Sequence, residues 1–471
     1  MTANLAPGVH VKEVERGAKP IEGVSTSTAG FLGPTERGPE EPRLITSYAD
    51  YQRLYGGYVE GSHLAPAVEG FFTNGGSRAY VGRVTGATQT AENTLRAGGT
   101  AADPGTQEAV LWSRTEVLDF ADDSSGTTKT VTVKNLGDSG DAAIQITEAD
   151  LVVEDDTDNV WAVETAASGD ISVDAGDTAD LEVTFNGLPS DTDELRRTLK
   201  IPHDGNESPL EVELRAGTGV MEITAVGPGE WGEHVVVIVD DATMYTPGEN
   251  ELFQLTIRYW ADEDDLAKAR AYHGDPEHAK VPDPDVEEVY DDLSPVESSS
   301  QYYESVVNAA SNLVTLERKQ PGRPKSTAGG PTWLGENLPA DYSDPAVARS
   351  DYEGDATVEP DKRTGFAGFG TVDGISIVCV PDEHADGEYW LTDLIRNHCV
   401  NEGDRFAITQ APQNPGPPSD VAPDVNSDFT AYYYPWIEIV SSETGNEMLV
   451  PPGGHIAGIY ARSDGEHGVH K

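Results

Sequence analysis

Ile375-Ser376-Ile377-Val378-Cys379-Val380 is a near-continuous apolar run, the pattern of a strand buried on both faces beneath covering helices. Leu391, Leu394, Ile395 and Cys399 follow at helical spacing and mark one helix face. Arg405-Phe406-Ala407-Ile408 is the next strand. Strand, helix and strand in this order form a βαβ unit, with parallel strands and a right-handed crossover. This segment predicts an α/β chain.

The N-terminal part carries compatible pieces. Ser27-Thr28-Ala29-Gly30-Phe31-Leu32-Gly33 reads as a small-residue strand. Tyr48 to Tyr55 reads as a short helix, with Ser47 placed to cap it and Gly56-Gly57 suited to a left-handed C-terminal turn. A second helix is predicted over residues 64–73, ending at Asn74-Gly75-Gly76, and a strand over Arg78 to Val84. Ahead of these, Pro7-Gly8-Val9-His10-Val11-Lys12-Glu13-Val14 alternates as a short strand with nothing local to pair with. Its backbone groups need partners, and an edge strand elsewhere would supply them.

Between the two ends the style changes. Residues 86–113 are rich in Thr, Ala and Gly and read as a linker. From about Arg114 to Gly217, short alternating strands recur between turn signals: Thr128 to Val133, Ala179 to Phe185, Leu195 to Ile201, and Leu210 to Leu214. Their number and span suit a β-sandwich of immunoglobulin-like size. Longer strands return at Val235 to Val239 and Phe253 to Arg258. Residues 261–364 are acidic, Pro-rich and weakly patterned, with a helix at Tyr302 to Ala310 and a strand near Leu313 to Leu316.

The 471 residues carry 83 acidic and 31 basic side chains, a net charge of -52. Such a chain repels nucleic acid and anionic lipid, which makes both poor candidates as partners; no nucleic acid partner is expected. The acids are spread along the whole length and lysines are few, as in proteins of salt-loving microbes, where molar salt shortens the Debye length to about 3 Å. Two cysteines, Cys379 and Cys399, do not make a disulfide framework. Residues 1–19 hold no apolar run of signal-peptide type, and no stretch approaches eighteen consecutive apolar residues. A soluble chain made in the cytoplasm, without membrane insertion, is the expectation.

Three stretches resemble the contractile tail sheath family. One runs from Pro7-Gly8-Val9 through Pro20-Ile21-Glu22-Gly23-Val24-Ser25-Thr26-Ser27. Another comprises Phe31-Leu32-Gly33-Pro34-Thr35-Glu36-Arg37-Gly38-Pro39 and Phe71-Phe72-Thr73-Asn74-Gly75-Gly76-Ser77-Arg78-Ala79-Tyr80-Val81. The last holds Tyr432-Tyr433-Tyr434-Pro435-Trp436 and Val450-Pro451-Pro452-Gly453-Gly454-His455-Ile456-Ala457-Gly458-Ile459-Tyr460-Ala461-Arg462. Within the middle of the chain, Val117 to Phe120, Thr130 to Gly137 and Leu181 to Phe185 are similar to Hydin-like immunoglobulin-type sandwiches.

The resemblance implies a multidomain α/β chain: a non-catalytic, subtilisin-like sheath core with an inserted β-sandwich. Its expected parts are an arm over 1–20, a first sheath part plus linker over 21–113, the sandwich over 114–218, a continuation with an acidic segment over 219–364, and the core βαβ region over 365–471. It implies a structural subunit of a virus tail or injection particle. Copies would form hexameric rings in a helical sheath by strand exchange and contract around an inner tube, with baseplate and tail terminator proteins as further partners. On this resemblance the chain would lack the family's usual C-terminal region beyond Lys471, as a truncated, split or fragmentary subunit would. No enzyme activity, cofactor or metal is expected. The arm residues Pro7, Gly8, Val9, Val11 and Val14 would join copies. Tyr432, Tyr433, Tyr434, Pro435, Trp436 and His455 would serve core or interface. The alternative is a surface adhesin whose sandwich binds a ligand.

Other constellations are weak. His455 lacks a nucleophile turn nearby and reads as a structural loop histidine. His384 and His398, near Asp382 and Cys399, would be a poor metal set. Asp155-Asp156-Thr157-Asp158-Asn159 lacks the glycine of a calcium loop and reads as a solvated turn.

Overall fold

A computed structural model describes residues 28–97, 110–272, 280–386 and 390–467, apart from positions 114, 116, 121–124, 138–140, 167, 190–193, 207, 218, 328–330, 336, 340–341, 415 and 418–420. The arm expected over 1–20, with Pro7, Gly8, Val9, Val11 and Val14, lies outside the described residues.

The chain begins with β1 (Thr28–Gly33), β2 (Arg43–Ile45), α1 (Tyr48–Tyr55), α2 (Leu64–Thr73) and β3 (Arg78–Arg83). The Ser47 side chain accepts from the Asp50 N–H and starts α1, and Gly56 at φ +84° ends it, since glycine adopts positive φ at little cost. β4 (Glu92–Leu95) follows. Next come β5 (Leu111–Ser113), β6 (Val117–Asp119), β7 (Thr127–Asn135), β8 (Ile144–Ile146), β9 (Val152–Val153), β10 (Trp161–Thr165), β11 (Ile171–Val173), β12 (Thr178–Phe185), β13 (Glu194–Ile201) and β14 (Leu210–Gly217). They form a sheet in the order β10-β12-β7-β5, another in the order β6-β14-β13-β9, and a β11-β8 pair. Inward residues such as Phe120, Val131, Val133, Leu181, Phe185, Leu199 and Leu214 make a core of their own.

The next elements are β15 (Met221–Ala225), β16 (Val235–Asp241), β17 (Phe253–Tyr259), α3 (Glu263–Ala271), β18 (Val286–Leu293), α4 (Tyr303–Ala310), β19 (Val314–Arg318) and β20 (Thr332–Trp333). Two sheets, β19-β15-β4 and β18-β17-β16-β20, enclose a core that includes Trp231, Val237, Phe253, Tyr259 and Val307. The last elements are α5 (Arg349–Glu353), α6 (Gly365–Phe369), β21 (Ile377–Cys379), α7 (Thr392–Glu402), β22 (Phe406–Gln410), β23 (Thr430–Tyr433), β24 (Ile437–Val440), β25 (Glu447–Val450) and α8 (Gly453–His467).

Both chain ends meet in one six-stranded sheet, ordered β2-β3-β1-β21-β22-β23. β1 lies between β3 and β21 and pairs in parallel with each, placing Ala29 opposite Ile377. β21 and β22 are parallel, as a βαβ unit requires. One side of the sheet buries residues of α1, α2 and α8 around Phe31, Tyr51, Phe71 and Ala457. The other buries residues of α5, α6 and α7 around Tyr352, Phe369, Ile395 and Cys399. The mixed α/β class is as the sequence predicts.

Three expectations need correction. Residues 86–113 are not simply a linker: β4 pairs with β15, Ala91, Leu95 and Ala97 are buried, and β5 joins the sheet of β7. β4 escaped notice because only Leu95 of its four residues is buried. Residues 261–364 hold more structure than their composition suggests. α3 is capped by the Asp262 carboxylate, which accepts from the N–H groups of Asp264 and Asp265. Its first-turn acids complement the helix dipole. β18 is an edge strand whose acidic side chains need no cover. The strand expected over 375–380 is shorter, Ile377–Cys379.

Candidate assembly site

Tyr432 and Tyr433 lie half-buried on β23, at the rim of the six-stranded sheet, opposite Thr409 and Gln410. The Tyr433 hydroxyl is 2.6 Å from that of Tyr460 on α8. Tyr434 and Pro435, joined by a cis peptide bond, are exposed. The Trp436 indole N–H donates to the Ala411 carbonyl at 2.8 Å, and its ring meets the His63 ring edge-on at 5.0 Å.

His63 is held from the opposite side. Its Nδ1 lies 2.7 Å from Oδ1 of Asp382, 319 residues away. The buried Asp382 carboxylate also accepts from the His63 N–H and the Ser62 hydroxyl. Asp382 follows β21 at the point where the strand order turns from β1 to β21, the place where open α/β sheets bind ligands. Protein atoms occupy that place here: a Cβ on Gly33 would lie 3.2 Å from Leu64 Cβ and 3.5 Å from Asp382 Oδ2. Asp382 therefore acts as a tie between the β21 loop and the start of α2.

The Pro-Pro-Gly-Gly-His stretch is read most directly from packing. α8 lies against α2 so closely that a Cβ on Gly454 would come within 2.5 Å of Ala67 Cα. A Cβ on Gly70 would come just as close to the His455 ring, and one on Gly453 would lie 2.8 Å from the Cys379 sulfur. His455 thus sits in the first turn of a helix, not in the expected loop. Burial pushes its imidazole below the usual histidine range, which favours the neutral ring.

Beside this joint, Gln410 is a buried connector. Its Oε1 accepts from the Gly453 N–H at 3.1 Å, and its Nε2 donates to the Val380 carbonyl at 2.9 Å. Its own N–H donates to Glu383 at 2.5 Å. The Thr392 hydroxyl also donates to Glu383, at 3.2 Å. Full burial pushes the Glu383 carboxyl up to about 8, because an apolar surrounding disfavours the charged form.

The remaining sequence candidates do not converge. His384 Nε2 donates to the Gln410 carbonyl, while His398 accepts from Arg405 at 3.0 Å against the other face of the sheet. No group of three or more His, Cys, Asp or Glu placed to hold a metal occurs among the described residues. The Asp156 carboxylate accepts from the N–H groups of Val160 and Trp161 and so closes its own turn.

Sequence reading missed the β24–β25 hairpin, a two-stranded sheet of its own. The Glu443 carboxylate at its turn accepts from the Tyr58 N–H at 3.0 and 3.1 Å, while Val450 is buried at its base. Val440 is 64% exposed and Leu449 47%. Alternation in Ile437-Glu438-Ile439-Val440 was the available signal. The His63–Asp382 tie had none.

No protein-family model and no curated protein matches the chain. Among solved structures, it is similar to a sheath tail protein of Listeria innocua at 8% identity and a TM-score of 0.38, covering 93% of this chain and 56% of that one. A sheath tail protein of Desulfitobacterium hafniense matches at 8% identity and a TM-score of 0.34, covering 96% and 61%. The YadV chaperone matches at 11% identity and a TM-score of 0.17, over 33% of this chain and 67% of its own. The chain thus spans about three fifths of the two sheath tail proteins it matches. At these scores the likenesses carry no argument about its function. No helix among the described residues is long and apolar enough to cross a membrane.

Proposed function

We propose that this chain is a structural subunit of a contractile sheath, built from copies of itself around an inner tube and carried on a virus tail or injection particle. The observation that carries the reading is convergence. The described stretches with sheath-like sequence, at 31–39 and 71–81 and at 432–436 and 450–462, stand far apart in the chain yet share one sheet and one helix pair. The glycines of the Pro-Pro-Gly-Gly-His stretch have a packing role there.

In this reading the segment Pro7 to Val14 adds as a strand to another copy. Open edges exist for it on β23 and on the β24–β25 hairpin. Each added hydrogen bond contributes about 1 kcal/mol net, and repetition around rings makes the lattice cooperative. Residues 114–218 serve as an immunoglobulin-type decorating module. The net charge of -52 makes assembly depend on screening by molar salt. Contraction draws on a metastable lattice, so no cofactor enters it.

The test is electron microscopy of the purified chain in molar potassium chloride. Tubular polymers are expected, absent after deletion of residues 1–20 and loosened on dilution of the salt. Polymers unchanged by that deletion would refute the arm's role. Labelling by a serine-directed probe would refute the structural reading.

A further inference from the structure

The unit of the six-stranded sheet and the unit of β15–β20 have separate apolar cores. The first draws on residues 29–84 and 347–461, the second on residues between 91 and 342. Among the described residues no apolar core spans the junction between them. Two units without such packing move relative to each other by default. Here polar groups bridge the gap instead.

The bridging groups centre on Glu36-Arg37-Gly38, which follows β1. The Glu36 carboxylate accepts from the Tyr259 hydroxyl of β17 at 2.9 Å and from the Gly57 N–H at 2.9 Å. The Arg37 guanidinium lies 5.0 Å over the Tyr259 ring and donates to Glu36 and to the Gln52 and Arg53 carbonyls of α1. The Gly38 carbonyl accepts from Arg83 of β3, which also donates to the Pro228 carbonyl of the second unit at 2.7 Å. Gly227 lies so near the Gly38 carbonyl that a Cβ there would collide with it. Arg37, Arg83 and Tyr259 are each at most 3% exposed, yet Nε of both arginines has no partner among the described residues. Buried charged groups recover little of their desolvation cost, whereas hydrogen bonds are directional. Such a junction gains orientation more than strength.

We propose that Glu36, Arg37, Gly38 and Arg83 form a clasp that fixes the angle at which the second unit stands on the six-stranded-sheet unit. The sandwich is carried on the second unit: Arg215 donates to the Pro321 carbonyl at 3.1 Å, and the Asp119 carboxylate accepts from the Ala97 N–H at 2.6 Å. The clasp therefore also sets the direction in which the sandwich is presented. The chain crosses the junction twice, near residues 85–90 and 343–346, and with the clasp open these two connections are the pivot. The clasp belongs to the single chain, so it does not depend on the sheath reading.

The test is single-molecule energy transfer on the unassembled chain in molar potassium chloride. Dyes are placed through Glu60→Cys and Ala267→Cys, both at exposed positions, one in each unit; the native Cys379 and Cys399 are buried. The clasp is broken by Tyr259→Phe with Arg83→Met. Phe keeps the ring in its core, and the Pro228 carbonyl keeps the Trp231 indole N–H as a donor. Tyr302→Phe, which removes a hydroxyl bonded to Glu304 within the second unit, is the control. Thermal melting checks that each variant folds. One narrow distance is expected for the clasped chain and the control, and a distribution at least about two-fold wider for the double variant. A folded double variant with the original width overturns the inference, as does equal widening in the control or a broad distribution before any clasp residue is changed. Should the double variant fail to fold, Tyr259→Phe alone decides by the same readout.

Discussion

Replacing Glu383 by Gln should make this protein more stable in mild alkali, and the size of the gain can be worked out. The Glu383 carboxyl titrates near 8 in the folded chain and near 4.5 when free of its surroundings. Between these values the native state holds a proton that the unfolded state has released, so stability falls as pH rises from about 4.5 to about 8. Below that window the carboxyl costs nothing; above it the full cost of a buried charge is present, about 5 kcal/mol at most. Gln keeps the volume and the oxygen that accepts from the Gln410 N–H, while the Thr392 hydroxyl can turn to accept from the new amide. Urea unfolding of both proteins in molar salt, from pH 5 to pH 9, isolates this one group, because the other carboxylates cancel in the difference. The wild-type curve should fall relative to the variant by about 1.4 kcal/mol per pH unit inside the window. Parallel curves across that range would refute the assignment of a protonated Glu383 at neutral pH.

Gly458→Ala places a Cβ 2.4 Å from the Phe71 carbonyl oxygen, so a loss of about 3 kcal/mol or more is expected in thermal melts. Asp382→Ala leaves the His63 N–H and Nδ1 without their acceptor; about 3 kcal/mol should be lost in urea unfolding. Ser47→Ala removes the α1 cap, and a loss of about 1 kcal/mol is expected by the same method.

Much of the local structure was legible because it depends on near neighbours. The cap at Ser47, the alternation of Thr127–Asn135 and Thr178–Phe185, and the helical spacing before Cys399 each lie within one element. The errors share a cause. β4 is mostly polar and β18 is half acidic, and sheet pairing holds both in place. Gly453 and Gly454 look like turn punctuation, yet they open a fifteen-residue helix, because only glycine fits against Gln410 and Cys379 at the first and against Ala67 of α2 at the second. Of the candidate site, the aromatic run at 432–436 was visible, whereas its link through His63 to Asp382 was not.

By itself, the sequence determined the strongly patterned elements, the α/β class and the charge, since periodicity, caps and side-chain ionisation are properties of short stretches. Tertiary structure alone decided that β1 sits between β3 and β21 and that α8 lies on α2. The β1–β21 pairing and the α2–α8 contact join residues more than three hundred positions apart, and shape fit, not local pattern, selects them.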